Sequence, residues 1–189
     1  MRELALHLLD IAENSISARA KNITITVTES LVEDRLRFVV EDDGSGMSPE
    51  MIAKVVDPFV TSRTTRKVGL GIPLLKAAAE ASNGFFKLQS QPGKGTVVEV
   101  EFQRSHIDRM PLGDLASTFI TLLIGSPEVH WVLNYITDNG SYTFDDEPVK
   151  AVLDGVPLCE PSVIAYIRQE IREGIQAIQP TEPSLILAK

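Results

Sequence analysis

The sequence is poor in cysteine, in long apolar runs and in basic residues towards its C-terminus. Among 189 residues there is one cysteine, Cys159, so neither an internal disulfide nor a multi-thiolate zinc site can form. An apolar run long enough to cross a membrane is absent, and His7 and Asp10 stand where a secretory signal would need its apolar core. These absences predict a cytoplasmic protein without structural metal.

Basic residues are scarce beyond residue 104. Residues 1–104 carry 13 Lys and Arg against 14 Asp and Glu, whereas residues 105–189 carry 5 against 12. A surface this acidic repels nucleic acid and anionic membranes, so neither is an expected partner. A solvated acidic surface explains the charge better than a dedicated docking face does.

Hydrophobic periodicity predicts the fold class. Apolar residues make up 43% of the chain and charged residues 23%, as in a folded globular protein. Helical spacing over residues 4–18 and 72–82 predicts two helices, and alternation predicts two hairpins, one over residues 22–40 and one over 86–102. Because strands and helices do not alternate regularly, the order favours an α+β fold, a two-layer α/β sandwich.

A domain boundary is predicted near residue 104, where the pattern restarts. The hydrophobic pattern of residues 105–189 predicts a helix, a hairpin around Asp138-Asn139-Gly140 and a longer C-terminal helix. Trp131 and Tyr135 alternate on one strand face, which is typical of a core. This region shows no metal-ligand spacing, nucleophile constellation or basic patch, so by elimination it is an interaction or regulatory domain.

Polar residues mark one face of the first predicted helix. Asn14 lies one turn after Asp10, so the two side chains project to the same region. A carboxamide oxygen suits Mg²⁺ when phosphates and waters supply the other ligands, and a carboxylate can orient or deprotonate a water aimed at a γ-phosphate. Two exposed helix residues would give the same pattern, and for this pair alone that interpretation is favoured.

A glycine-containing segment follows the second predicted strand. In it, Asp42 can accept a hydrogen bond from the exocyclic amine of adenine, where guanine has a carbonyl that would be repelled. Gly44 and Gly46 would let a flat base approach the backbone, and Met47 could lie against its face. The alternative is a glycine-rich turn without a ligand.

A second glycine pair opens the helix over residues 72–82. At Gly69 and Gly71, free backbone N–H groups and the positive end of the helix dipole could face phosphates. Arg63 and Lys67, in the polar segment before these glycines, could close over the phosphates. The spacing fits neither the Rossmann nor the Walker pattern. Thr96 could add a hydroxyl near the base, although Thr in a strand is usually explained by β-propensity.

Taken together, residues 1–104 resemble the GHKL superfamily of gyrase, heat-shock chaperone, histidine-kinase and mismatch-repair ATPases. The resemblance rests on motifs in register: Asp10-Ile11-Ala12-Glu13-Asn14, Asp42-Asp43-Gly44-Ser45-Gly46, Asp57-Pro58-Phe59, Gly69-Leu70-Gly71-Ile72 and Gly93-Lys94-Gly95-Thr96. It implies a Bergerat-type ATP-binding fold over residues 1–104, with residues 105–189 as a small C-terminal α+β appendage.

The resemblance also implies roles for single residues. Asn14 would ligate Mg²⁺, Asp42 would bind the adenine amine of ATP, and Thr96 would support the base through Asp42. Gly69 and Gly71 would hold phosphates, and Leu70 between them is a further predicted cofactor-binding residue.

Two features depart from the family. Hydrolysing members have Glu where this chain has Asp10, which is shorter by ~1.5 Å, and a misplacement of that size can cost about a hundredfold in rate. A phosphoacceptor region is missing before the first motif. His7 is not in the expected phosphoacceptor context and is predicted to be a helix-surface histidine.

Three functions remain open. The kinase-like motifs favour an enzyme that transfers the γ-phosphate of ATP to a protein in trans. The alternatives are an ATP-hydrolysing conformational switch, with Asp10 as the catalytic carboxylate, and a non-catalytic ATP-binding regulator. A protein substrate or regulatory partner is expected; the oligomeric state is open, with a homodimer among the options.

Overall fold

The computed structural model describes residues 3–57, 71–153 and 155–180. In chain order the elements of this part are α1 (Leu4–Ser17), β1 (Asn22–Ser30), β2 (Arg35–Asp42), α2 (Pro49–Val56), α3 (Gly71–Ala81), β3 (Phe85–Gln91), β4 (Gly95–Gln103), α4 (Leu115–Gly125), β5 (His130–Thr137), β6 (Gly140–Asp145), α5 (Asp146–Val152) and α6 (Pro161–Ile178). The prediction of an α+β fold is confirmed.

The strands form one six-stranded sheet in the order β3-β4-β2-β1-β5-β6. Neighbours run antiparallel, except that β1 and β5 are parallel, with Asn22 opposite His130 at one end and Glu29 opposite Thr137 at the other. On one face α1 contacts both α3 and α4, and α4 contacts α6, so these helices form a second layer.

The core lies between the sheet and this helical layer. Alternate residues of β1, namely Ile23, Ile25 and Val27, are buried, as their period-2 pattern predicts. Trp131 and Tyr135 on β5 are fully buried in the same hydrophobic cluster. The interpretation of these two aromatic residues as core is therefore confirmed.

The C-terminal residues continue this architecture. The β5–β6 hairpin extends the sheet that β1 to β4 begin, and α4 packs against α1. The division at residue 104 stays a prediction. None of the described helices combines the length and the apolarity that a membrane span requires.

A partly buried polar cluster joins β5 to the N-terminal strands, and its loss should cost stability. The hydroxyl of Tyr135 donates to Glu29 Oε2 at 2.6 Å, and Arg104 Nε donates to Glu29 Oε1 at 2.7 Å. Since hydrogen bonds to charged groups contribute about 1.5–3 kcal/mol, Tyr135→Phe should lower the free energy of unfolding by about 2 kcal/mol in urea titrations. Tyr166→Phe, at a side chain that is 62% exposed, should stay within about 0.5 kcal/mol; equal losses would contradict the assignment.

Candidate functional site

Helix α1 separates a packing face from a polar edge. Its apolar face includes the buried residues Leu8 and Ile11, and Ser15 lies on the same face at 3% exposure. Asp10 is half-buried and Asn14 is exposed. The helix therefore carries its packing residues and its candidate site residues on adjoining faces.

The carboxylate of Asp42, at the end of β2, is held from two sides. Ser15 Oγ donates to Asp42 Oδ2 at 2.6 Å, and the backbone N–H of Gly44 donates to Oδ1 at 2.9 Å. Each carboxylate oxygen has more than one lone-pair site, so Asp42 keeps the capacity to accept a further hydrogen bond. A fixed acceptor of this kind is what recognition of an adenine amine requires.

The loop after Asp42 lies against both α1 and the β3–β4 turn. A Cβ on Gly44 would stand 2.9 Å from the Cβ of Ala18, and one on Gly46, which has φ +64°, would stand 2.0 Å from the carbonyl oxygen of Gln91. Close packing of the loop is thus a reason for these glycines that is independent of the predicted approach of a base.

A hydroxyl pair links this loop to β4. Thr96 is buried and lies opposite Asp42 in the β2–β4 register, with its Oγ1 2.9 Å from Ser90 Oγ. Ser90 Oγ also accepts from the backbone N–H of Met47 at 2.8 Å and donates to the carbonyl of Gly95 at 2.9 Å. Ser90 therefore fixes the positions of Met47 and Thr96 relative to each other.

The start of α3 meets the polar edge of α1 at Asp10. A Cβ on Gly71 would lie 2.7 Å from Asp10 Oδ2, so glycine at this position lets the carboxylate lie directly against the backbone of α3. Helix N-termini present free N–H groups and positive potential, which suits anions such as phosphates. Asp10, Asn14 and Gly71 thus mark one end of a candidate nucleotide site.

His7 differs from the prediction. It is 3% exposed rather than on the helix surface, and its Nδ1 has no hydrogen-bond partner among the described residues. Burial lowers the pKa of His7, and the neighbouring Asp10 carboxylate acts in the opposite direction. The surface assignment was wrong because the apolar stripe of α1 is wide enough to include position 7.

The second aspartate of the pair has a different role. Asp43 Oδ1 accepts from the backbone N–H groups of Lys21 and Asn22 at 2.7 and 2.9 Å, and Oδ2 accepts from the Asn22 side chain at 2.6 Å. Burial raises the pKa of Asp43, but these hydrogen bonds outweigh it and leave the pKa below its usual value. Asp43 therefore anchors the start of β1, while Asp42 faces α1.

The described part of the chain brings most of the sequence-predicted residues to one region. On α1, Asp10 lies beside Gly71, and Ser15, five residues later, donates to Asp42. Five residues correspond to a rise of about 7.5 Å, so this stretch of α1 connects the two contacts. The residues placed along this path are Asp10, Asn14, Asp42, Gly44, Gly46, Met47, Gly71 and Thr96. Four predicted residues lie outside the described residues: Arg63, Lys67, Gly69 and Leu70. The role of each in binding stays a prediction.

Sequence reasoning missed Ser15 and Ser90 as parts of the site. Ser15 stands at the helical spacing of the apolar residues of α1, four positions after Ile11, and a polar side chain on an apolar face needs a hydrogen-bond partner. That requirement was a usable signal for Ser15. The position of Ser90 carries no comparable signal, because it depends on the register between β3 and β4.

The Ser15 contact gives a direct prediction for nucleotide binding. Ser15→Ala removes one of the two hydrogen bonds that orient Asp42, so we expect the affinity for ATP to fall about tenfold, or ~1.4 kcal/mol, by calorimetry. Ser17→Ala, at an exposed position of the same helix, is the matched control and should bind as the native protein does. A tenfold loss in both variants would mean that the effect comes from the helix rather than from Asp42.

Several known proteins are similar to part of this chain. The cell-division control histidine kinase PdhS of Brucella ovis is 31% identical over 120 residues, covering 57% of this chain and 11% of that protein. Sporulation kinase C of Bacillus subtilis is 28% identical over 92 residues, covering 49% of this chain and 21% of that protein. The chain thus spans between 11% and 21% of the length of these curated relatives.

A solved structure and a family model extend the comparison. The crystal structure of the N-terminal domain of a DNA repair protein matches with a TM-score of 0.50 at 16% identity, over 77% of this chain and 52% of that one, which is a likeness of fold. Residues 2–106 match the model of the histidine kinase-, DNA gyrase B- and HSP90-like ATPases. This match covers more than half of the chain, and it contains the motifs around Asp10, Asp42 and Thr96. The chain belongs to the histidine kinase-, DNA gyrase B- and HSP90-like ATPase family.

Proposed function

We propose that this chain binds Mg-ATP along α1 and transfers the γ-phosphate to a protein partner in trans. The observation that carries the proposal is the Asp42 carboxylate, held by Ser15 Oγ at 2.6 Å and by the Gly44 N–H at 2.9 Å with acceptor capacity left over. Membership in an ATPase family supports the nucleotide.

Adenine is the base that fits this acceptor. The exocyclic amine of adenine can donate to Asp42, whereas the carbonyl of guanine would place an oxygen against the carboxylate. Thr96, opposite Asp42 in the register, supports the same edge of the base. The protein should therefore discriminate ATP from GTP.

Magnesium fits the exposed carboxamide of Asn14. Mg²⁺ keeps several waters and takes few protein ligands when phosphates are present, so a single neutral oxygen on α1 suffices. Bound Mg²⁺ would neutralise phosphate charge. Asn14 would hold it near Asp10 and the N-terminus of α3, where the chain offers groups suited to phosphates.

The observation that favours transfer over hydrolysis is the short carboxylate of Asp10. Asp10 lies against Gly71, so its reach from α1 is limited, and a base about 1.5 Å short is expected to activate water poorly. The similar kinases of Brucella and Bacillus support the same choice. The second candidate is an ATP-hydrolysing switch, in which Asp10 orients the attacking water.

The test follows γ-labelled ATP with Mg²⁺ and the full chain, with Asn14→Ala as the inactive reference. Under the proposal, ATP binds to the native protein, free phosphate stays at the Asn14→Ala background, and label moves onto a protein when a cell extract is added. Glu13→Gln, at an exposed neighbour on α1, is the matched control and should behave as the native chain.

The other outcomes separate the alternatives. Release of phosphate above the Asn14→Ala background, without any labelled protein, would replace the kinase by the ATPase switch. Unchanged ATP affinity in Asn14→Ala would reject the assigned magnesium position. Binding with neither release nor transfer would support a non-catalytic regulator and contradict the proposed reaction.

A further inference from the structure

A histidine and two aspartates converge where β5 begins and β6 ends. His130 Nε2 lies 3.0 Å from Asp145 Oδ1 and 4.0 Å from Asp146 Oδ1, and one ligand atom from each of the three residues lies within 4.8 Å of the others. Antiparallel pairing of β5 with β6, which sets Val132 opposite Asp145, produces this meeting.

The orientation of the His130 ring is fixed from its other side. Nδ1 lies 3.1 Å from Asn22 Oδ1, and the Asn22 side-chain amide donates to Asp43 Oδ2 at 2.6 Å. Because the Asn22 nitrogen is engaged with Asp43, its oxygen must face His130, so Nδ1 of the ring is the donor. A carboxylate oxygen only accepts, so the 3.0 Å contact between Nε2 and Asp145 Oδ1 requires a proton or a metal ion between the two atoms; in the neutral imidazole the Nε2 lone pair is free to bind a metal there.

Asp146 leaves a buried oxygen in this cluster. Its side chain is fully buried, and Lys150 Nζ forms an ion pair with Oδ2 at 2.6 Å, while neither oxygen accepts a well-aligned hydrogen bond from a described residue. Lys150 is itself fixed by donating to the carbonyl of Val129 at 2.6 Å. The Oδ1 atom, on the side of His130, is thus desolvated and unpartnered, which is costly unless a cation binds there.

We propose that His130 Nε2, Asp145 Oδ1 and Asp146 Oδ1 bind a divalent transition metal, with Zn²⁺ as the probe. A tetrahedral zinc with bonds of about 2.0–2.2 Å places its ligands about 3.4 Å apart, and the observed separations of 3.0 and 4.0 Å lie on either side of that value. A fourth ligand would be water, because Asp145 is partly exposed. A nitrogen donor with two carboxylates favours zinc over magnesium, which takes oxygen ligands.

The surroundings have the features of a supported metal site. Asn22 accepts from the ring N–H of His130 on the side away from the two carboxylates, the arrangement that orients metal-binding histidines in general. The two carboxylates and Lys150 carry a net charge of about −1, so zinc brings the cluster to about +1, the same as a His₂Glu zinc site. The metal would tie the β5–β6 end of the sheet, through Asn22 and Asp43, to the strand that ends in Asp42.

The test measures zinc on the full chain in the absence of nucleotide. After chelation and dialysis against equimolar Zn²⁺, elemental analysis should find one zinc per native chain, and Co²⁺ in its place should give the visible absorption of a tetrahedral site. We expect His130→Ala to lower zinc affinity at least a hundredfold and Asn22→Ala to lower it about tenfold. His106→Ala is the matched control, since His106 Nδ1 stands 3.9 Å from Asp108 Oδ2 and no third ligand joins them among the described residues.

Three results would overturn the proposal. The first is a native chain that retains no zinc, and the second is zinc retained equally by His130→Ala. The third is an NMR spectrum in which His130 stays doubly protonated in the presence of equimolar Zn²⁺, which would mean that a proton, and not the metal, is bound to Nε2. Asp146→Asn, which keeps the shape of the buried side chain, serves as a second variant if His130→Ala unfolds. These results do not depend on ATP, so they are independent of the proposed function.

Discussion

Replacing Asp42 by Asn should lower the affinity for ATP about a hundredfold, which corresponds to ~2.7 kcal/mol. The Asp42 carboxylate already accepts from Ser15 Oγ and the Gly44 N–H, and in the proposed complex it also accepts from the adenine amine. In the variant, the amide oxygen must turn towards Gly44, which places an NH₂ group beside Ser15. One acceptor oxygen and the negative charge are lost, and charge-assisted hydrogen bonds are about twice as strong as neutral ones.

The measurement is calorimetric titration with ATP at fixed Mg²⁺ on folded protein, checked by circular dichroism. Glu41→Gln is the matched control, because Glu41 is the exposed neighbour of Asp42 on the same strand and its variant loses the same charge. The control should bind ATP as the native chain does. An Asp42→Asn protein that stays folded and keeps its affinity would place adenine elsewhere, whereas equal losses in both variants would point to a general charge effect.

The fold class was predictable because its signals are local. The alternation over β1 and β2 and the helical spacing over α1 and α3 each follow from one face being buried. Helices α2 and α5 were missed for a related reason. Each spans only about two turns, eight residues for α2 and seven for α5, so the sequence offers too few repeats for a helical period to be recognised.

The contacts within the candidate site were less predictable, because they depend on register between elements. Asp42 and Asp43 are adjacent in sequence, yet one faces Ser15 and the other anchors Lys21 and Asn22. Because side chains alternate along a strand, the two carboxylates point in different directions. The partner that each carboxylate contacts depends on how β2 lies relative to α1 and β1. The cluster of His130 with Asp145 and Asp146 escaped notice for the same reason, since fifteen positions separate the first two in sequence.

The turn between β3 and β4 offers a test in which two glycines give different results. Gly95 has φ +102°, and a Cβ there would stand 1.9 Å from the carbonyl oxygen of Asp42. Gly93 has φ +74°, and a Cβ there would meet nothing within 4 Å. Alanine at position 93 is therefore strained only in its own backbone, which costs about 1–2 kcal/mol. Alanine at position 95 must also push β4 away from β2.

We expect Gly95→Ala to lower the free energy of unfolding by at least ~3 kcal/mol and Gly93→Ala by ~1 kcal/mol, measured by urea titration followed by circular dichroism. The added methyl group would press on the backbone of Asp42, the residue proposed to bind adenine. The Gly95→Ala protein should therefore also lose ATP binding under conditions where it is still folded. Gly93→Ala should keep it. Equal losses of stability in the two variants would show that the strain of the glycine backbone, and not the contact with Asp42, decides the outcome. A folded Gly95→Ala protein with native ATP affinity would show that the β2–β4 contact at Asp42 does not affect nucleotide binding.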